Sequence, residues 1–172
     1  VLSSNKKNNG VLVASTLKIM EKLEIKNEVL IKANSERVWQ ILTNPAETKK
    51  YMFGCETLSD WKVGSELLWQ GEFEGKPMIF VKGHIVAIEP QVYLAYTVFD
   101  PNRTDMEDLP VNYLSVEYRL TQQGEETLLQ VTQGDYSTVA LGEKRYAEAS
   151  NNGLGWQPIL DLIRAQAVGP LA

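Results

Sequence analysis

Residues 142–167 read GEKRYAEASNNGLGWQPILDLIRAQA. Gly142, Tyr146, Ala149, Gly153, Trp156, Leu160, Ile163 and Ala167 recur in steps of four and three, which gathers them on one helical face. Glu143, Lys144, Arg145, Glu148, Asp161 and Arg164 fall between them and are expected largely to face water. Gly153, Gly155 and Pro158 weaken a continuous helix, so the expectation is a long helix with a kink or break near them. An apolar stripe of this length needs a surface to bury against.

The residues before it supply that surface. Strand signals run from Leu67 to Phe73, Met78 to Ile88 and Tyr93 to Phe99, with a turn at Glu74-Gly75-Lys76 and a corner at Glu89-Pro90. After a polar loop, Tyr113 to Leu120 and Thr127 to Gln133 make two more strands joined through Gln122-Gln123-Gly124-Glu125. Such an antiparallel meander has one apolar face, and the C-terminal helix is the element long enough to cover it.

Further toward the N-terminus, Leu23, Ile25, Asn27, Val29 and Ile31 alternate with Glu24, Lys26, Glu28, Leu30 and Lys32 in the pattern of a half-buried strand. Ser35 is placed to cap a short helix through Leu42, and Asn44-Pro45 ends it and starts a second one reaching Tyr51. Residues 1–19, with the polar run Ser3 to Gly10, are read as an extension, residues 20–168 as one domain and residues 169–172 as a tail.

Composition bounds the function. With 44% apolar and 23% charged residues, the 172-residue chain has enough core for one folded domain. A net charge of −5 gives no general attraction for nucleic acid or anionic membranes, and no window has the roughly 20 apolar residues of a membrane span. The lone Cys55 cannot form an internal disulfide, and there is no zinc-ligand spacing, so a reducing compartment, the cytoplasm, is expected. No cofactor motif is present, neither a phosphate-binding glycine loop nor a nucleophile elbow.

This order resembles the SRPBCC or START-like superfamily with its helix-grip fold. The resemblance is carried by Glu36-Arg37-Val38-Trp39, Lys50-Tyr51-Met52, Trp61-Lys62-Val63-Gly64-Ser65, and Gly83 to Pro90 leading into Leu94-Ala95-Tyr96-Thr97. With Glu126 to Gly134 and Gly155-Trp156 before Leu160, it narrows to the subgroup named after the activator of heat-shock-protein-ninety ATPase. It implies an α+β helix-grip fold, a curved antiparallel sheet of six or seven strands wrapped around a long C-terminal helix, with two short helices after the first strand. It also implies a deep apolar cavity between sheet and helix. Members bind apolar ligands, act as cyclases, or serve chaperones in stress responses.

Strand parity nominates the lining. Leu67, Trp69, Gly71 and Phe73 share one strand face; Leu94, Tyr96 and Val98, then Val116, Tyr118 and Leu120, and Thr127, Leu129, Val131 and Gln133 share others. The candidate ligand-binding residues are Tyr51, Trp69, Phe73, His84, Tyr96, Tyr118, Gln133, Tyr146, Ala149, Gly153 and Trp156. Small Ala149 and Gly153 either leave room for a ligand or let helix and sheet approach with no cavity, and periodicity is compatible with both. Of the single imidazole His84, the lone thiol Cys55 and the acidic loop Asp100, Asp105, Glu107 and Asp108, none has partners at the spacing that catalysis or metal binding needs.

Three functions follow as expectations. The first is a module that binds a small apolar or aromatic molecule. The second is a chaperone-associated interaction protein, for which an exposed apolar patch replaces the cavity. The third is a cyclase or hydrolase, whose cavity needs a titratable group with a shifted pKa, from His84, Glu72 or Asp135. A homodimer through an exposed edge strand such as Leu67 to Phe73 is a further expectation.

Overall fold

A computed structural model describes residues 21–169; the expected extension 1–19 and residues 170–172 of the expected tail lie outside the described residues. The elements are β1 (Ile25–Ile31), α1 (Ser35–Thr43), α2 (Pro45–Tyr51), β2 (Glu56–Ser59), β3 (Glu66–Phe73), β4 (Lys76–Glu89), β5 (Tyr93–Val98), β6 (Leu114–Gln123), β7 (Glu126–Gly134), α3 (Gly142–Ala149) and α4 (Gln157–Val168). The strands form one antiparallel sheet in the order β1-β7-β6-β5-β4-β3-β2. This is the expected α+β helix-grip arrangement, with β2 as the seventh strand.

Local chemistry sets the element ends. The cap of α1 is Asn34, one residue before the expected Ser35: its side chain accepts from the Arg37 N–H at 2.9 Å, while the Ser35 N–H donates to Gln122 Oε1. Asn44 caps α2 in the same way, with Pro45 in the first turn, where a missing N–H costs nothing. The β3–β4 hairpin turns through Glu74 and Gly75, both at positive φ, as a tight two-residue turn requires.

Two register shifts bend the sheet. One lies between Trp69 and Gln70 opposite Phe80, the other between Ile85 and Ala87. Between them Gly83 passes so close to β5 that an added Cβ would stand 1.6 Å from the Thr97 carbonyl oxygen. The long β4 therefore turns across the molecule, and the sheet becomes concave toward the helices.

Two of the expected inward residues are corrected, His84 because the shift at Phe80 breaks the alternation of β4 and Phe73 because it lies at a strand end. Phe73 is 56% exposed at the hairpin end of β3. His84 is exposed, its N–H donating to Thr97 Oγ1, which also lies 3.0 Å from His84 Nδ1. The expected edge role of Leu67 to Phe73 is corrected as well, because β3 is paired on both sides and the edge strands are β1 and β2.

The C-terminal helix is divided, as the glycines lead one to expect. Asn151, Asn152, Gly153 and Gly155 all have positive φ, and Pro158 lies in the first turn of α4 rather than inside a helix. The two halves serve different clusters. Leu160 and Ile163 of α4 are fully buried in the main core with Ile31, Ile41, Leu42 and Leu129. Tyr146 and Ala149 of α3 pack instead on a smaller cluster of Ile25, Leu114 and Tyr136. Gly153, expected beneath the middle of the helix, is exposed in the connection, with nothing within 4 Å of an added Cβ. Arg145, expected to face water, is 5% exposed.

Candidate functional site

The concave face of the sheet does not close completely on the helices. A cavity of about 450 Å³ remains between β3–β7, the loop after α2 and the start of α4. Trp69, Phe80, Tyr96 and Trp156 supply its aromatic walls, and Val81, Val98 and Val116 its aliphatic floor. Met52, Phe53 and Cys55 close the side next to α2. Phe80 reaches the wall because the register shift leaves it unpaired between Ile79 and Val81, and its ring rests where Gly71 has no side chain; a Cβ there would stand 3.0 Å from Phe80 Cε2.

A ladder of aromatic rings backs the cavity. Trp69 lies 6.4 Å from Tyr96, Tyr96 5.5 Å from Tyr118 in edge contact, and Tyr118 5.9 Å from Trp156 at 82°. The Tyr96 and Tyr118 hydroxyls share a hydrogen bond of 2.7 Å, which satisfies two phenols that are each only 1% exposed. Trp156 Nε1 donates to Gln133 Oε1 at 2.7 Å, and the Trp156 N–H donates to Asn27 Oδ1 at 2.9 Å, so the end of β7 and β1 both hold the indole in place.

The electrostatics of the wall are neutral. Burial pushes the Tyr96 and Tyr118 phenols well above their usual range, and it also raises the Cys55 thiol. Among the described residues the lining contains no carboxylate, imidazole or ammonium, and its one strongly polar side chain is the Gln133 amide.

Of the sequence-nominated residues, the structure brings Trp69, Tyr96, Gln133 and Trp156 to the cavity wall. Tyr118 stands directly behind them. Tyr51 belongs to the core beneath, its hydroxyl donating to the Ile41 carbonyl at 2.8 Å. Ala149 lines an adjoining compartment, and Tyr146 packs edge-on against Tyr136. Phe73, His84 and Gly153 lie away from the cavity for the reasons given above. Sequence parity missed Met52, Phe53, Phe80 and Val81 as a set, because β4 changes face at its bulge and the loop after α2 carries no period; Val98 and Val116, which parity placed on inward strand faces, do reach the wall. The motif Lys50-Tyr51-Met52 was the available signal for that loop.

Two carboxylates of the acidic loop, Asp105 and Asp108, are tied up in ion pairs. Arg103 binds Asp105 through two 2.8 Å contacts, and Lys82 and the Tyr113 hydroxyl both engage Asp108. Among the described residues no group of His, Cys, Asp and Glu is placed to hold a metal, and no helix is long and apolar enough to cross a membrane.

Comparison with known proteins places this geometry. A solution structure of a Cytophaga hutchinsonii protein is 35% identical over 85% of this chain and 94% of its own, with a TM-score of 0.66. CalU16 from Micromonospora echinospora is 22% identical over 84% of this chain and 76% of its own, at 0.61. The Aha1 dimer from Colwellia psychrerythraea is 16% identical over 86% and 98%, at 0.58. The last two likenesses concern the fold alone. No curated protein matches the chain. The family described as Activator of Hsp90 ATPase homolog 1-like protein matches residues 32–167, which cover both short helices, strands β2–β7 and nearly all of α4, and the chain belongs to that family.

Proposed function

We infer that the protein binds a small apolar or aromatic molecule in the cavity between the sheet and the start of α4. The carrying observation is the cavity itself: about 450 Å³, lined by five aromatic and three valine side chains, with one amide for orientation. Sites for small molecules commonly span roughly 300–1,000 Å³ and pair an apolar lining with a few polar groups. A packed core at native density would leave no such space.

Chemistry at the wall favours binding over turnover. A cyclase or hydrolase needs a group that exchanges a proton near neutral pH. The two ionisable lining residues, Cys55 and Tyr96, are both held protonated by burial. A chaperone-associated role, the other reading open to this family, asks for an exposed apolar patch, and although Phe53 is exposed at the rim, the concave apolar wall of the cavity weighs toward the small molecule.

Native mass spectrometry of the protein incubated with excess N-phenyl-1-naphthylamine, a neutral aromatic probe, tests this reading. A one-to-one adduct is expected. A mass without adduct at every probe concentration contradicts it.

A further inference from the structure

A second space adjoins the cavity. Val81, Val98 and Gln133 also line a second compartment of about 370 Å³, bounded on its far side by Tyr136, Arg145 and Ala149. Arg145 is the unexpected member. It is 95% withdrawn from solvent, and among the described residues its guanidinium makes one hydrogen bond, from Nη1 to the Asn112 carbonyl at 2.9 Å. A guanidinium carries five N–H donors, so the others need a destination. Among the described residues no side-chain nitrogen or oxygen is enclosed without a partner, so the remaining donors of Arg145 are not sealed in, and the residue borders the open compartment.

No carboxylate of the described residues lies within 4.0 Å of Arg145. The neighbouring cations are already engaged: Arg103 with Asp105, and Lys144 with Asp105 and Glu148. Burial, with Arg103 nearby, pulls the Arg145 pKa down, and Tyr136, Asp105 and Glu148 offset this only in part. A buried charge is costly until it is paired, and a planar carboxylate matches a guanidinium through two parallel hydrogen bonds. The Tyr136 hydroxyl, kept protonated by burial that pushes its pKa up to about 12, offers another donor on the same wall. Asp100 and Glu148 also border the compartment, which suits a singly charged group better than a dianionic phosphate.

We propose that the ligand is an amphipathic organic acid, with its apolar body in the aromatic cavity and its carboxylate against Arg145 in the second compartment. The proposal rests on the small-molecule reading of the cavity and adds the chemical class.

The test compares dodecanoate with methyl dodecanoate as competitors of N-phenyl-1-naphthylamine fluorescence on the full chain at pH 8. The acid is expected to bind about tenfold or more tightly than the ester, the scale of a charge-assisted hydrogen bond. Arg145→Gln is expected to remove that preference while the ester binds as before, and unchanged ester binding shows that the cavity is intact. If R145Q fails to fold, Arg145→Lys is expected to lower the preference about threefold or more, because it keeps the charge and loses the fork. Equal affinities for acid and ester in the wild type, or a preference that survives undiminished in R145Q, overturn this inference alone. Absence of any probe binding overturns the cavity reading with it.

Discussion

Tyr96 and Tyr118 show what single side chains contribute to this site. Their hydroxyls satisfy each other at 2.7 Å inside the core, so Tyr96→Phe strands a buried phenol and is expected to cost about 1–3 kcal/mol. The Tyr96→Phe/Tyr118→Phe double variant should recover part of that loss, and urea unfolding of the three variants measures the coupling. Gly83→Ala should be more severe, because the new Cβ meets backbone at 1.6 Å; loss of cooperative unfolding, or more than about 3 kcal/mol, is expected in the same assay. At this scale the sequence was informative for residues on unbroken strands, as Trp69, Tyr96, Tyr118 and Gln133 show. It misled at His84 and Phe73, where a bulge and a strand end override alternation, and at Arg145, where helical period assigns a face but not what covers it.

Elements are held together by a polar cluster that hydropathy patterns do not reveal. Glu47 of α2 accepts from Arg37 of α1 at 2.8 Å and from Gln166 of α4, so one carboxylate ties three helices. The Arg37 hydrogen bond is the main reason its pKa is lowered below 4.5, with burial opposing and Gln166 assisting. A depressed carboxylate contributes stability that is present above its unfolded pKa and is lost as pH falls through the folded value. Glu47→Gln should therefore lower stability by about 1–3 kcal/mol at pH 7, and its deficit against the wild type should shrink between pH 5 and pH 3. A deficit that stays constant through acid would assign the effect to packing. The helices and six of the strands were legible from capping residues and alternation. Strand β2 was not, because Glu56-Thr57-Leu58-Ser59 is too short to display a period and is fixed by pairing with β3. The helix break was visible in its glycines, but its consequence was not: it sends α3 to a separate cluster and leaves Gly153 outside.

For the whole molecule, curvature is the property that makes a site. Two bulges and the close approach at Gly83 bend the sheet, and α4 covers part of the concavity while the loop after α2 rims the rest. The overall arrangement was readable because element order and a family resemblance agree on it. The cavity was not, since small residues on a helix face fit a ligand space and a tight contact equally well, and the space arose at the bulge of β4 instead. A neutral wall also predicts that the affinity for an uncharged probe stays flat from about pH 5 to pH 9, because burial raises both ionisable lining groups, Cys55 and Tyr96, and keeps them protonated. Titration of N-phenyl-1-naphthylamine fluorescence across that range checks it.

The most direct measurement is the same probe titration on the wild type and on Val116→Phe, with thermal unfolding of both. Val116 lines the cavity and is 1% exposed, so the added ring has only the cavity to enter. Saturable one-to-one binding is expected in the wild type, with its loss in V116F and stability changed by no more than about 1–2 kcal/mol, because a void accepts volume that a packed core would resist. A wild type that does not bind the probe, or a V116F that still binds it with wild-type affinity, would contradict the claim that this fold encloses a ligand site.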